Sequence, residues 1–231
     1  MAIDWQAFRL TIELAVVVSA FLLVVGLPLA YWIAFSRRRW KFLVEALVAL
    51  PIVLPPTVLG FYVLVALGSR SPLGRWWQSM TGHTLAFTFT GLVIGSILYS
   101  LPFAVQPFAA SFSSVDRKLL AASATLGASP LRTFIRVVVP LSVPGLVTGV
   151  VLAFAHTMGE FGVVLMIGGN IPGVTRTVSI GIYDQVQASN YAAANAMALL
   201  LLAFCFAVLT LVYGLNRRTP NQKLWTVGPA K

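Results

Sequence analysis

Acidic residues are scarce in this chain: six Asp and Glu against sixteen Lys and Arg in 231 residues, with charged residues only 10% of the whole. A soluble domain carries about 25%, so a surface that is wetted all round is excluded. Cysteine is nearly absent as well. The single Cys205 cannot form an intrachain disulfide, and its place within an apolar run assigns it to packing. There are two histidines, and H-E-x-x-H, C-x-x-C, G-x-S-x-G and G-x-x-x-x-G-K-[ST] are all missing. No nucleophile-base or metal constellation marks an enzyme, and the chain carries no nucleotide-hydrolysing motif of its own.

What is present is hydrocarbon: 58% hydrophobic residues and a mean hydropathy of +0.89. Apolar runs near or above the ~20 residues needed to cross ~30 Å occur at 10–35, 42–67, 85–106, 137–158 and 193–215. These predict an all-α integral membrane protein with five spanning helices, six at most. The first run is too long for a signal-peptide core and its basic cluster follows it, so it is expected to stay in the mature protein.

The basic residues are unevenly placed. Arg37, Arg38, Arg39, Lys41, Arg117, Lys118, Arg132, Arg136, Arg217, Arg218, Lys223 and Lys231 fall on one side, and only Arg9, Arg70, Arg75 and Arg176 on the other. The positive-inside rule then puts the N-terminus outside and the C-terminus in the cytoplasm. The formal charge of +10 is thus mostly topology. With no aromatic-basic surface module, nucleic acid is not an expected partner.

The spans leave a short cytoplasmic turn at 36–41, an outer loop at 68–84, a long cytoplasmic segment at 107–136, a second outer segment at 169–191 and a basic tail at 216–231. Pro28, Pro51, Pro55, Pro56, Pro102, Pro107, Pro140 and Pro144 lie in or at the ends of apolar runs. Each removes a backbone donor. For "LPIVLPPTVLG" (50–60) the prediction is an opened helix lining a pathway, because freed carbonyls at membrane depth need protein or water around them. The stretch 137–169 would measure ~50 Å as one helix, which overshoots the bilayer. "MGEFG" (158–162) is the expected break, leaving "VVLMIGG" as a re-entrant or outer-surface piece; a tilted long helix is the alternative.

Within 107–136, "SSVDRKLLAASATLG" reads as a helix with Ser114 as cap, Asp116 in the first turn and Gly127 as a left-handed stop. Ala121, Ala124, Thr125 and Ala128 form a face open to close approach. Ser129 and Pro130 restart the chain as a short helix, "SPLRTFIR", ending before Pro140. Leu131, Phe134 and Ile135 give it an apolar stripe beside Arg132 and Arg136. Docking in a partner's groove and lying among lipid headgroups both suit this helix.

"AASATLGASPLRTFIRVVVPLSVPG" (121–145) resembles the cytoplasmic signature of ABC-importer permeases, a Glu-Ala-Ala-x3-Gly run followed by aliphatic-x-Leu-Pro. Gly127, Val137 and Val139-Pro140 fall on that spacing, while Ala121 replaces the usual Glu and Ser123 the second Ala. The resemblance implies a coupling helix seated in a separate ATPase subunit, with Gly127, Ser129, Pro130, Leu131, Arg132, Phe134 and Arg136 at the contact. ATP and magnesium would then belong to the partner, and no cofactor to this chain.

"LPIVLPPTVLGFYVL", "AFAHTMGEFGVVLMIGGNIPGVTRTVSIGIYDQV" and "NYAAANAMALLLL" are similar to the molybdate branch of these permeases over about 10–215. Sulfate and thiosulfate permeases, which share "GEFG", are the alternative. This similarity implies a type I ABC importer permease fold in the bacterial inner membrane. It would be one transmembrane domain over 1–231, with core 10–215 and coupling segment 111–136. A homodimer, an ABC ATPase, membrane lipid and a periplasmic or surface molybdate-binding protein are the implied partners, and tungstate is a companion substrate.

A path that must not trap its ion needs small, weakly polar lining. Thr57, Gly60, Ser96, Tyr99, Ser100, Gly159, Glu160 and Gly162 are the candidates, although small residues equally serve helix packing. Glu160 would repel an anion, so its expected partners are His156 one turn earlier or the backbone of the broken helix. A proton relay through Glu160 and His156 is the rival mechanism, that of a secondary carrier. Arg176 is expected to attract an anion, meet an acidic docking surface or remain solvated.

Overall fold

The computed structural model describes residues 3–216, and every regular element among them is helical. Arg217, Arg218, Lys223 and Lys231 of the basic tail lie outside the described residues. Helix α1 (Trp5–Phe35) starts where the Asp4 carboxylate accepts from the Ala7 N–H at 2.9 Å. Leu14, Val18 and Leu22, spaced by four, are buried on one stripe.

The second expected span is two helices, α2 (Lys41–Val53) and α3 (Pro56–Leu67), whose axes turn by 112°. The cause is local. Leu54 and Pro55 each precede a proline and are held extended, at ψ 137° and 135°, and two successive residues supply no N–H. The opened helix expected at 50–60 is therefore present.

The region 68–84, expected as loop, contains α4 (Pro72–Thr81), capped by Ser71 and stopped by Gly82 at φ 75°. Helix α5 (Phe89–Ser113) carries Pro102 and Pro107 within it. Helix α6 (Arg117–Thr125) and the single turn α7 (Pro130–Thr133) follow.

The separate rod expected over 129–136 does not form. A π-helical turn, Phe134–Val138, joins α7 directly to α8 (Val139–Met158), with the Val139 N–H donating to the Phe134 carbonyl. The wider turn carries the chain into Pro140 without a break.

Helix α8 stops at Gly159, and α9 (Gly162–Gly168) is a buried short helix, so the break at 158–162 is where it was expected. The outer segment 169–191 contains α10 (Val178–Gln187), and α11 (Tyr191–Asn216) is the last helix.

Four helical stretches are long and apolar enough to span, with the bent α2–α3 pair as a fifth. The packing shows that this pair makes one net passage. At one end of the bundle Tyr31 near the end of α1 meets Phe134 at 4.9 Å and Phe112 near the end of α5 at 6.5 Å. At the other end Thr11 on α1 accepts from the Val178 N–H of α10 at 2.9 Å, and Phe87 before α5 donates to the Ile167 carbonyl at 2.9 Å. Helices α1 and α5 thus run the same way, and residues 36–88 return the chain between them.

The core sits between α1, α5 and α8, around Leu22, Val105, Phe108 and Phe112. Two G-x-x-x-G pairs allow close contacts, one within this core and one beside the smaller cluster around Leu85 and Ile167. Gly145 and Gly149 of α8 meet Ser111 and Phe108, while Gly91 and Gly95 of α5 meet Leu85 and Ile167.

Candidate translocation cavity and coupling surface

Two interrupted spans meet inside the bundle. Gly162 faces Pro56 so closely that a Cβ on it would lie 2.6 Å from the Pro56 Cβ, which brings the α8–α9 break against the α2–α3 break. Beside this contact is a cavity of about 550 Å³, walled by Pro56 and Thr57 of α3, Tyr99 of α5, Ala155 and His156 of α8, Gly159, Glu160 and Phe161 of the break, and Gly162, Leu165 and Met166 of α9. Irregular backbone at membrane depth is tolerated where it borders such a space.

Glu160 is 4% exposed, and neither carboxyl oxygen has a hydrogen-bond partner among the described residues. The Ser96 hydroxyl next to it is unpartnered too. The expected Glu160–His156 pair does not form, and no backbone group takes its place. Helix α8 ends before Glu160, so the i, i+4 relation no longer puts both side chains on one face. His156 is instead held by Ser100 (Nδ1 to Oγ 2.9 Å) and stacks on Phe103 at 3.9 Å. Ser100 also bonds the Thr157 hydroxyl at 2.9 Å.

Of the expected path residues, Thr57, Tyr99, Gly159, Glu160 and Gly162 converge on the cavity. Ser96 and Ser100 are fully buried behind its wall. Gly60 faces α9, where a Cβ would sit 2.8 Å from the Met166 Cβ, which is a packing position. Ala155, His156, Phe161, Leu165 and Met166 were not among the expected path residues, although the expected breaks at 50–60 and 158–162 both point to this wall. The lining includes no Lys or Arg.

Near the end of the bundle where α1 and α5 finish, α6 and α7 form a second surface. Asp116 caps α6 by accepting from the Lys118 N–H at 2.8 Å. Ser114, expected as that cap, closes α5 instead, donating to the Ser111 carbonyl at 2.7 Å. Gly127 has φ 77° and makes the expected left-handed stop. The Ser129 hydroxyl accepts from the Arg132 N–H at 3.3 Å, and Ser123 bonds Thr133 at 2.8 Å, which fastens α6 to α7.

The expected stripe of Leu131, Phe134 and Ile135 divides. Phe134 turns inward onto Tyr31 and Phe112, whereas Leu131 and Ile135 remain exposed. Leu126, 87% exposed, and Leu119 join them from the α6 side. Arg132 and Arg136 are exposed and make no ion pair among the described residues.

At the opposite end, Arg176 is neither a free anion lure nor an ordinary solvated charge. Its Nε donates to Asn170 at 2.6 Å, and its guanidinium lies 3.3 Å from Asp184 and 3.9 Å from Asp4. These contacts tie the start of α1, the 169–177 loop and α10 together.

Residues 26–220 match the family of binding-protein-dependent transport system inner membrane components. The chain is 52% identical to the molybdenum transport system permease protein ModB of Azotobacter vinelandii, over 93% of this chain and 95% of that one. It is 34% identical to ModB of Escherichia coli K12 over 90% and 91%, and 38% identical to ModB of Mycobacterium tuberculosis over 93% and 79%. Among solved structures, the inward-facing MetNI methionine ABC transporter superposes with a TM-score of 0.74 at 16% identity, over 93% of this chain and 95% of that one. A bacterial importer of alginate gives 0.77 at 17% identity, over 93% and 79%. At those identities the likeness is one of fold, that of type I ABC importer permeases.

Proposed function

The chain belongs to the family of binding-protein-dependent transport system inner membrane components, and from that premise we propose that it is the membrane permease of an ATP-driven importer of molybdate. The observation that carries the reading is the 52% identity to a molybdenum permease along 93% of the chain. The sulfate and thiosulfate alternative is not favoured by relatives of that kind. Tungstate, an oxyanion of the same shape and charge, is the expected companion substrate.

In this reading two copies of the chain enclose one pathway. The cavity with Thr57, Tyr99, Gly159, Glu160 and Gly162 belongs to its wall, and Gly60, Ser96 and Ser100 support that wall. A separate ATPase, holding ATP and magnesium, seats against α6 and α7 around Gly127, Ser129, Pro130, Leu131, Arg132 and Arg136, with Phe134 anchoring the unit from inside. A solute-binding protein delivers the ion to the outer face. The chain itself needs no cofactor.

The basic residues support an N-terminus outside and a C-terminus in the cytoplasm, and the five passages agree with termini on opposite sides. The test is molybdate uptake in cells lacking the chain. Restoration by the wild-type gene, competed by tungstate more strongly than by sulfate and lost with the ATPase, is the expected result. Restored uptake that ignores molybdate competition, or that continues without the ATPase, overturns the reading.

A further inference from the structure

Where α1 gives way to α2, a pocket of about 320 Å³ is lined by Ala34, Phe35, Ser36, Arg37, Lys41, Arg117 and Leu120. That volume is at the small end of ligand sites. Three cations gather in it from two segments about 80 residues apart, and among the described residues their charges are only partly balanced. Lys41 shares Glu45 at 3.3 Å, whereas Arg37 and Arg117 make no ion pair among the described residues. Asp116, beside Arg117, is occupied capping α6. Cations that line one pocket repel one another unless an anion sits among them.

The rest of the setting is that of a membrane interface. Phe35, Ala34 and Leu120 make an apolar inner wall packed on the bundle core. Trp32, before the 36–41 turn, and Trp40, within it, pack with tilted rings 5.0 Å apart, and aromatic side chains of this kind are enriched at headgroup level. Arg38 is drawn aside over Trp40, at 5.7 Å from the ring, which leaves Arg37 to face the pocket. Phe42 and Leu43, just past Lys41, are exposed apolar surface on which an acyl chain can lie.

We propose that this pocket is a binding site for the headgroup phosphate of an anionic phospholipid, held between Arg37 and Arg117 with Lys41 at its edge. Basic pockets at the ends of membrane helices take such headgroups, each cation near the surface contributing about 1 kcal/mol. The site pins the 36–41 turn to the start of α6, and so couples the lipid to the surface that projects beyond the bundle. The pocket offers this phosphate site whatever ion is transported and whichever side of the membrane it faces.

The test uses the assembled transporter, reconstituted in phosphatidylcholine with and without phosphatidylglycerol, then moved to detergent and weighed by native mass spectrometry. Wild type is expected to keep one phosphatidylglycerol per permease chain while shedding phosphatidylcholine. Retention should fall about 5-fold for Arg37→Gln or Arg117→Gln and about 30-fold for the pair. Arg39→Gln, outside the pocket, should retain lipid as wild type does.

Equal retention of both lipids by wild type overturns the proposal and needs no variant. Bound inorganic phosphate that depends on Arg37 and Arg117, with phosphatidylglycerol retention equal in wild type and double variant, assigns the site to a free oxyanion and overturns the lipid source. Loss of the partner ATPase from the double variant with lipid retention intact assigns the arginines to an acidic protein surface, and overturns it too.

Discussion

Glu160 separates two mechanisms at the level of one side chain. A carboxyl that is 4% exposed, without a partner among the described residues, in a cavity whose lining has no Lys or Arg, is a poor ligand for an oxyanion. A proton relay would need it to exchange protons with His156, yet the His156 Nδ1 is engaged by Ser100 and the ring is stacked on Phe103. Glu160→Gln, which keeps the shape and removes the charge, is therefore expected to leave assembly intact and uptake within roughly 3-fold of wild type, less than 1 kcal/mol. Measured radiolabelled molybdate uptake that vanishes while the protein still assembles would restore the proton relay.

Arg176 acts at the same scale. Its removal leaves Asp184 and Asn170 short of a donor in a half-buried site, so Arg176→Ala should destabilise the detergent-purified chain by about 1–3 kcal/mol. Lysine cannot reproduce the forked contacts to Asn170, Asp184 and Asp4, and Arg176→Lys should recover only part of the loss in thermal melting.

At the level of elements, close approach between helices is set by glycine. A Cβ at Gly149 would lie 2.5 Å from the Phe108 ring and 2.9 Å from the Ala104 carbonyl. Gly149→Val must push α8 from α5, at an overpacking penalty of about 1–3 kcal/mol, to be read as a lower melting temperature and less assembled protein in the membrane. The same change at Gly214, where an added Cβ meets nothing within 4 Å among the described residues, should be nearly silent.

Both G-x-x-x-G pairs are visible in the sequence, but which helix each one meets is set by tertiary packing. The breaks at 54–55 and 159–161 were legible because they obey local rules: missing N–H groups, restricted dihedrals before proline and a limit on helix length. The direction of side chains beyond the breaks was not. Phe134 belongs by spacing to an exposed stripe, yet the π-helical turn beginning there places it against Tyr31 and Phe112. The tertiary contact, invisible in a single sequence, decides where it packs. Glu160 and His156 likewise form a natural i, i+4 pair on paper, and separate because the helix ends between them.

For the whole molecule the decisive quantity is which way up the bundle sits. Its two ends are well separated. The α4 helix carries exposed Ser79 near the end where α5 begins, and Leu126 projects from the end where α1 and α5 finish. Under the proposed orientation, which the basic clusters at 37–41 and 117–136 support, the Leu126 end faces the cytoplasm and the Ser79 end the outside.

In a Cys205→Ala background, a cysteine at position 79 should react with an impermeant maleimide in intact spheroplasts, and one at position 126 only after permeabilisation. Charge reversal on the same surface, Arg132→Glu with Arg136→Glu, should then reduce ATPase co-purification by about tenfold, equivalent to 1.4 kcal/mol, while membrane insertion is kept. Labelling of position 126 from outside would leave the α6–α7 surface facing away from any nucleotide. An ATP-driven permease built this way could not then be driven.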